Sequence, residues 1–278
     1  MSANTRMLRS LEALALGDAW GERGFSGSYT GEWKWTDDTA MALGIVEVLT
    51  RKGHVDQDEL ARVFVRNYMA EPDRGYGRGQ HRLMREITDG ADWRTAAREL
   101  FHGGSFGNGG AMRVAPLGAY FADDIDKVVE QAALATEVTH AHREGIAGAV
   151  AVAVAACLLS LDTDAPRSLL MERVRDLTPE GDVRAGIEYA LTIDLDYSVD
   201  TAVSALGNGS RITAQDTVPL CIWLAAKHRY DYADAMRETV RAGGDRDTNC
   251  AIVGGILGAR KDCVLPADWL KNREPLPA

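Results

Sequence analysis

The sequence predicts an all-α protein, and three observations support that class. Apolar residues recur every three or four positions, which is the period of one face of a helix. No run of alternating β-branched and polar residues indicates a strand, and the two Asn-Gly pairs lie in glycine-rich stretches between helical segments. The helical period is clearest in eight segments: residues 8–20, 39–49, 57–69, 128–135, 146–159, 218–226, 233–240 and 252–257.

We expect one domain over residues 1–278, with a core of about residues 7–262 and a short C-terminal tail. The chain has 278 residues, and 46% of them are hydrophobic, which suffices to bury a large core. Stretches typical of loops are spread evenly along the chain, and none has the character of a linker. No tandem repeat of fixed period is present.

Charge and cysteine usage restrict the partners and the compartment. The formal net charge of −10 argues against broad binding to nucleic acid or to an anionic membrane. The N-terminus has no signal-peptide pattern, and the apolar run at residues 147–159 is too short to span a bilayer, so we expect a buried helix there. The four cysteines are scattered without a Cys-x-x-Cys pair, which favours reduced thiols in a cytoplasmic protein. The oligomeric state is left open.

Two acidic motifs, far apart in the sequence, each precede an apolar helix. Either motif alone is adequately explained as a helix cap, because carboxylates and hydroxyls are favoured at helix N-termini. One cap needs one side chain, however, whereas each motif carries two carboxylates and a threonine. Adjacent buried carboxylates raise each other's pKa, and a divalent cation such as Mg²⁺, Mn²⁺ or Ca²⁺ removes that conflict. The motif residues are Thr36, Asp37 and Asp38 in the first and Asp245, Asp247 and Thr248 in the second.

Other acidic motifs are excluded by their spacing. An EF-hand loop that began at Asp245 would need Gly and Glu where this chain has Cys250 and Ile256. The Asp-Asp-x-x-Asp element of terpene synthases would need a third acid at Met41. No adjacent His-Asp pair is present for an HD-type phosphohydrolase.

The densest glycine stretch covers residues 102–113. Glycines let backbone N–H groups approach an anionic ligand, although a simple flexible connection explains the stretch equally well. It has neither the Gly-Lys-Ser/Thr of a P-loop nor a preceding strand. Farther on, His140 and His142 lack the further ligands of a zinc site, which leaves capping or surface roles or a contact with ligand hydroxyls or phosphate.

Taken together, these stretches resemble the ADP-ribosylglycohydrolase family. The matching stretches follow the family's order and cover roughly residues 12–260: residues 17–21, 35–41, 74–77, 107–113 with 115–116, 139–145, 218–219 and 244–249. The resemblance implies a single-domain orthogonal helix bundle with two Mg²⁺ or Mn²⁺ ions. It also implies that both acidic motifs supply the ligands: Thr36, Asp37, Asp38, Asp245, Asp247 and Thr248.

The resemblance further implies where ADP-ribose binds. The glycine loop would line the cleft, and Tyr76 and Phe106 would stack on the ligand's rings. The residues predicted to contact ADP-ribose are Gly107, Asn108, Gly109, Gly110, Met112, His140, Tyr76 and Phe106.

The sequence departs from the family at the position where a catalytic glutamate is common, because Phe25 occupies it. We expect Glu22 to supply the carboxylate, with Glu32 and Asp73 as alternatives, and Asp37 and Asp247 to act through the ions. The predicted activity is cleavage of the glycosidic bond between ADP-ribose and an acceptor. Arginine on a protein is favoured, and serine, a nucleic-acid base and a small molecule are left open as acceptors. A non-catalytic ADP-ribose binder or structural protein, and a metal-dependent hydrolase of another phosphorylated small molecule, are the alternatives.

Overall fold

The computed structural model describes residues 1–161 and 166–277. Over those residues the chain forms fifteen α-helices, two 3₁₀ helices (Leu100–His102 and Asn108–Arg113) and no β-strand, so the all-α prediction is confirmed. The α-helices are α1 Ala3–Ser26, α2 Asp37–Lys52, α3 Gln57–Ala70, α4 Arg78–Thr88, α5 Trp93–Glu99, α6 Ala115–Tyr120, α7 Ile125–Glu137, α8 Arg143–Ser160, α9 Arg167–Leu177, α10 Asp182–Ala190, α11 Val199–Leu206, α12 Ala214–Lys227, α13 Tyr232–Ala242, α14 Arg246–Gly258 and α15 Ala267–Asn272.

All eight segments with clear helical period lie inside helices, namely α1, α2, α3, α7, α8, α12, α13 and α14. The other seven helices are only 6 to 11 residues long, and several carry one or two buried apolar residues per turn. Such short helices gain little from their own hydrogen bonds and depend on tertiary packing, which explains their weak periodicity.

Helix α8 forms the centre of the core. Its residues 147–157 are all buried, and it packs against α6, α7, α9, α10, α12 and α14. A helix that is apolar on every side is typical of a buried core position. Among the described helices, α8 alone has the length and composition of a membrane span, and 83% of that window is buried inside the fold.

Helices α1 and α14 form the most extensive helix pair, and α14 carries the second acidic motif in its first turn. Small residues make the close approach possible. A methyl group on Gly17 would lie 2.2 Å from the carbonyl oxygen of Cys250, and one on Gly258 would lie 2.1 Å from Cβ of Ala13. The four cysteines are free thiols, as predicted.

The C-terminal segment is hydrogen-bonded to the loop that precedes α2. Trp33 donates its backbone N–H to Asn272 O at 2.7 Å, and Glu274 donates its backbone N–H to Trp33 O at 2.8 Å. The Glu274 carboxylate also binds both terminal nitrogens of Arg74, whose guanidinium lies 3.6 Å above the centre of the Trp35 ring. The tail therefore stabilises the segment that leads directly into Thr36.

Candidate active site

The first acidic motif begins helix α2, and a residue of α1 caps it. The side chain of Thr36 makes no N-cap bond of its own. Instead, the buried Asp18 carboxylate accepts the backbone N–H groups of Thr36 and Thr39, at 2.9 and 3.1 Å, and their hydroxyls at 2.9 and 2.5 Å. Because Asp18 satisfies these donors, Asp37 and Asp38 are not needed as caps.

Asp18 is the main site residue that was not predicted from the sequence. It follows Leu11 and Leu14 on the buried face of α1, so a carboxylate interrupts an apolar stripe. That interruption was the available signal, because a carboxylate on a buried face requires a partner.

The second acidic motif begins helix α14, and two loops hold it. Asp245 donates its backbone N–H to Asn208 O at 3.3 Å, and its carboxylate accepts a hydrogen bond from Asn108 Nδ2 at 2.7 Å. Gly244 precedes it with φ +65°, where a methyl group would lie 2.0 Å from Asn208 O. Thr248 is buried in the first turn of the helix.

The structure brings the two motifs together. A methyl group on Gly21 would lie 2.7 Å from Cα of Asp247, so α1 directly contacts the turn that carries this acid. Burial raises the pKa of Asp37 and Asp38 well above the usual range, and the carboxylates of Asp18 and Asp247 raise both further. Burial, with Asp247 adding repulsion, raises the pKa of Asp18 and of Asp245 to about 7. The carboxylates of residues some two hundred positions apart in the sequence therefore repel one another within one cluster.

The oxygen atoms in this cluster are of the kind that a hard cation binds. Within the described chain, the buried oxygens Asp38 Oδ1 and Asp247 Oδ1 find no hydrogen-bond partner. Leaving such atoms unpaired costs free energy, and Mg²⁺ or Mn²⁺ takes carboxylate and hydroxyl oxygens of this kind. No three His, Cys, Asp or Glu side chains in residues 1–161 and 166–277 are already spaced as a complete ligand set, so the ligand assignment stays a prediction.

The glycine loop packs tightly on the helix end behind it. A methyl group on Gly109 would lie 2.6 Å from Cε1 of His140, and one on Gly110 would lie 2.4 Å from Cγ2 of Thr136. Gly109, Gly110 and Met112 are buried, whereas Phe106 keeps 40% of its surface exposed. The glycines are therefore required for packing, and Phe106 is the accessible ring at this loop.

Tyr76, the other predicted stacking residue, is buried. It packs edge-to-face against Tyr68, with ring centres 5.1 Å apart. Burial raises its pKa above the usual range, and the nearby Asp37 raises it further. Tyr76 therefore lies beside the acidic cluster, and Phe106 is the more accessible of the two rings.

A series of buried hydrogen bonds holds the ring of His140 in place. Arg113 is fully buried, donates to Thr139 Oγ1 at 2.8 Å, and faces the Phe64 ring at 4.5 Å. Thr139 Oγ1 in turn lies 2.8 Å from Nδ1 of His140. Since Arg113 occupies one lone pair of the hydroxyl, the arrangement favours donation from Thr139 to Nδ1, which puts the ring proton on Nε2. Burial and the Arg113 charge lower the pKa of His140 to about 3, so the ring is neutral.

Glu22, the first candidate for proton transfer, lies on helix α1 next to Gly21, which contacts the turn that carries Asp247. It follows Asp18 by four residues in α1, so the two side chains share one face of the helix. Partial burial raises the pKa of Glu22, and the Asp247 carboxylate raises it further. Glu32 and Asp73 are exposed. Phe25 is half exposed near the end of α1, with the Arg246 guanidinium 5.3 Å from its ring centre.

The fold and the site define an all-α protein with a partly buried, oxygen-rich acidic cluster next to a glycine-rich loop. The chain belongs to the ADP-ribosylglycohydrolase family, because a sequence model of that family matches residues 1–276. This confirms the resemblance seen in the sequence.

Individual proteins agree with this assignment. ADP-ribosylhydrolase ARH3 of Homo sapiens is 32% identical over 275 residues, which cover 86% of this chain and 74% of that protein. An uncharacterized protein of Archaeoglobus fulgidus is 32% identical over 249 residues, covering 87% of this chain and 77% of that protein. A solved structure of an ADP-ribosylglycohydrolase-related protein complex shares the fold, with a TM-score of 0.72, 24% identity, and coverage of 98% of this chain and 93% of that chain.

Proposed function

We propose that this protein is a hydrolase that depends on two Mg²⁺ or Mn²⁺ ions and cleaves the glycosidic bond between ADP-ribose and an acceptor. The observation that carries the proposal is the meeting of two partly buried acidic helix starts beside the glycine loop. Membership of the ADP-ribosylglycohydrolase family supports it, as do relatives named ADP-ribosylhydrolase. The acceptor that we propose first is arginine on a protein.

The proposed ligands are the oxygens of Thr36, Asp37, Asp38, Asp245, Asp247 and Thr248. Divalent ions in such a site supply Lewis acidity and lower the pKa of bound water. Burial, and then the neighbouring carboxylates, raise the pKa of Asp37 and Asp38, and a bound cation would offset that effect.

The remaining residues bind the substrate and move protons. Asp18 keeps the turn from Thr36 to Thr39 in place, and Phe106 offers an exposed ring face to the adenine. His140, neutral and with a proton on Nε2, donates a hydrogen bond to a ligand oxygen. Glu22 is the carboxylate that exchanges a proton with the acceptor or with water as positive charge develops on the sugar.

The deciding experiment compares ADP-ribosyl-arginine, ADP-ribosyl-serine and O-acetyl-ADP-ribose as substrates, with and without Mg²⁺ or Mn²⁺. We expect Asp38→Ala and Asp245→Ala to abolish release of ADP-ribose while circular dichroism shows an intact fold. The matched control is Asp268→Ala, because that side chain is 92% exposed on α15, and it should retain full activity. Full activity in either site variant would refute the proposal.

A non-catalytic ADP-ribose binder is the second candidate, and the observation that favours it is Phe25 in the position of the family's common glutamate. An isotherm that shows ADP-ribose binding, with no turnover of any of the three substrates, would select this alternative. Release of phosphate or pyrophosphate instead of ADP-ribose would point to a different phosphorylated substrate.

A further inference from the structure

The side chain of Asn108 links the glycine loop to the acidic cluster. Although Asn108 belongs to the loop predicted to bind ADP-ribose, its side chain is buried and directed away from the loop surface. Its Nδ2 donates to Asp245 Oδ2 at 2.7 Å and to Thr217 Oγ1 at 3.1 Å. One side-chain amide thus donates hydrogen bonds both to Asp245, a proposed cation ligand, and to Thr217 of the neighbouring helix α12.

The backbone around Asn108 is tied to the loop that holds the other side of Asp245. Ala214 donates its N–H to Phe106 O at 3.0 Å, and Asn108 donates its own N–H to Ile212 O at 3.4 Å. In the same 207–213 loop, Asn208 O accepts the backbone N–H of Asp245. Displacement of the glycine loop therefore changes both groups that fix the position of Asp245.

We propose that Asn108 is a positioning residue that couples ADP-ribose binding to cation binding. A ligand seated on the glycine loop immobilises the backbone that carries Asn108, and the amide then orients the Asp245 carboxylate toward the cation. The inference rests on the proposed function, because it assumes that the acidic cluster binds the ion. Linkage requires the effect to be reciprocal, so each ligand raises the affinity for the other by the same factor.

The expected changes in Mn²⁺ affinity follow from the hydrogen bond to Asp245 that Asn108→Ala removes. Couplings of this kind usually change an affinity by about 5- to 150-fold. A hydrogen bond to a charged group contributes enough that Asn108→Ala should weaken Mn²⁺ binding by roughly 10- to 150-fold. Direct contact between a cation and the sugar would also produce coupling, but that contribution is the same in wild type and variant. The decrease in coupling on substitution therefore measures the contribution of Asn108.

The experiment measures Mn²⁺ affinity by electron paramagnetic resonance, with and without saturating ADP-ribose, in wild type and in Asn108→Ala. The coupling factor is the ratio of the Mn²⁺ affinities measured with and without ADP-ribose. We expect the substitution to weaken Mn²⁺ binding and to lower this factor at least threefold. The matched control is Ser105→Ala, which removes a hydrogen bond from Gly107 N within the same loop but does not touch Asp245. Its coupling factor should equal that of wild type.

Each outcome is decisive. An unchanged coupling factor in Asn108→Ala would overturn the inference and leave the proposed function intact. A wild-type protein that binds ADP-ribose but no Mn²⁺ would overturn both. If Asn108→Ala does not fold, Thr217→Val replaces it, because that change removes the second acceptor of the same amide. It should lower the coupling factor by a smaller amount, and an unchanged factor would again overturn the inference.

Discussion

Replacing Gly21 with alanine is expected to force helix α1 away from the first turn of α14. The added methyl group would lie 2.3 Å from the carbonyl oxygen of Arg246 and 2.7 Å from Cα of Asp247. Both are backbone atoms, so the clash is relieved only by moving one helix against the other. Gly24, in the same helix, is the matched control: its methyl group would meet only side-chain atoms of Val240 and Arg246, at 3.0 to 3.3 Å.

The two substitutions gain similar helix propensity, so their difference isolates the clash. Overpacking costs about 1–3 kcal/mol, and contact with backbone puts Gly21→Ala at about 2–3 kcal/mol less stable than Gly24→Ala. For a chain of this size that corresponds to a difference in Tm of roughly 4–12 °C. Thermal unfolding by calorimetry tests this directly.

The same perturbation has a consequence for the site. Because the displaced backbone carries Asp247, Gly21→Ala should also weaken Mn²⁺ binding, by roughly tenfold or more if about 1.4 kcal/mol of the strain falls on that turn. Equal Tm values for the two variants would show that the α1–α14 contact is looser than the structure indicates, and the reasoning would fail.

Three further predictions concern residues that support the site. Asp18→Asn should lower the free energy of unfolding by about 1–2 kcal/mol in urea denaturation, because one of the two oxygens that accept four hydrogen bonds becomes an NH₂ donor, while relief of the repulsion from Asp247 offsets part of that loss; an unchanged midpoint would show that its capping role is dispensable. ¹⁵N NMR spectra should show that the ring of His140 carries its proton on Nε2. Thr139→Val should produce a mixture of the two tautomers. An Nδ1–H signal in the wild-type protein would contradict the proposed series of hydrogen bonds. Glu274→Gln should cost about 1.5–3 kcal/mol, because it removes the charge from a bidentate pair with an Arg74 side chain that is only 12% exposed; an unchanged free energy of unfolding would show that this pair does not stabilise the tail.

The sequence predicted the helices wherever a single face had to be apolar over several turns. Residues 57–69 and 128–135 are examples, and α3 and α7 contain them. It also predicted that each acidic motif begins a helix, and α2 and α14 begin there. These features are encoded by residues that lie close together in the chain.

Other parts of the site arise only when distant helices meet. Asp18 caps a helix whose N-cap residue lies eighteen residues later in the sequence, and no local sequence pattern indicates which helix N-terminus it caps. Asn108 is similar, since its partner Asp245 lies 137 residues away. The burial of Arg113 under the glycine loop follows from the packing of α2, α7 and the loop, so its sequence neighbours gave no indication of it.

Glu22 lies on the same helix as Phe25, the position where the sequence resemblance places a common glutamate of the family. Positions 18, 22 and 25 share one stripe of α1, so Glu22 lies one turn from Asp18 and one turn nearer the cluster than Phe25. Partial burial and then the Asp247 carboxylate raise the pKa of Glu22, and the neighbouring Gly21 lies against the backbone of Asp247.

If Glu22 transfers the proton, Glu22→Gln should lower kcat by about 10²–10⁴-fold and leave Mn²⁺ affinity nearly unchanged. Glu32→Gln, at an exposed position of the following loop, is the matched control and should retain wild-type kcat. If Glu32→Gln loses activity instead, the loop carries the catalytic acid and the helical stripe does not.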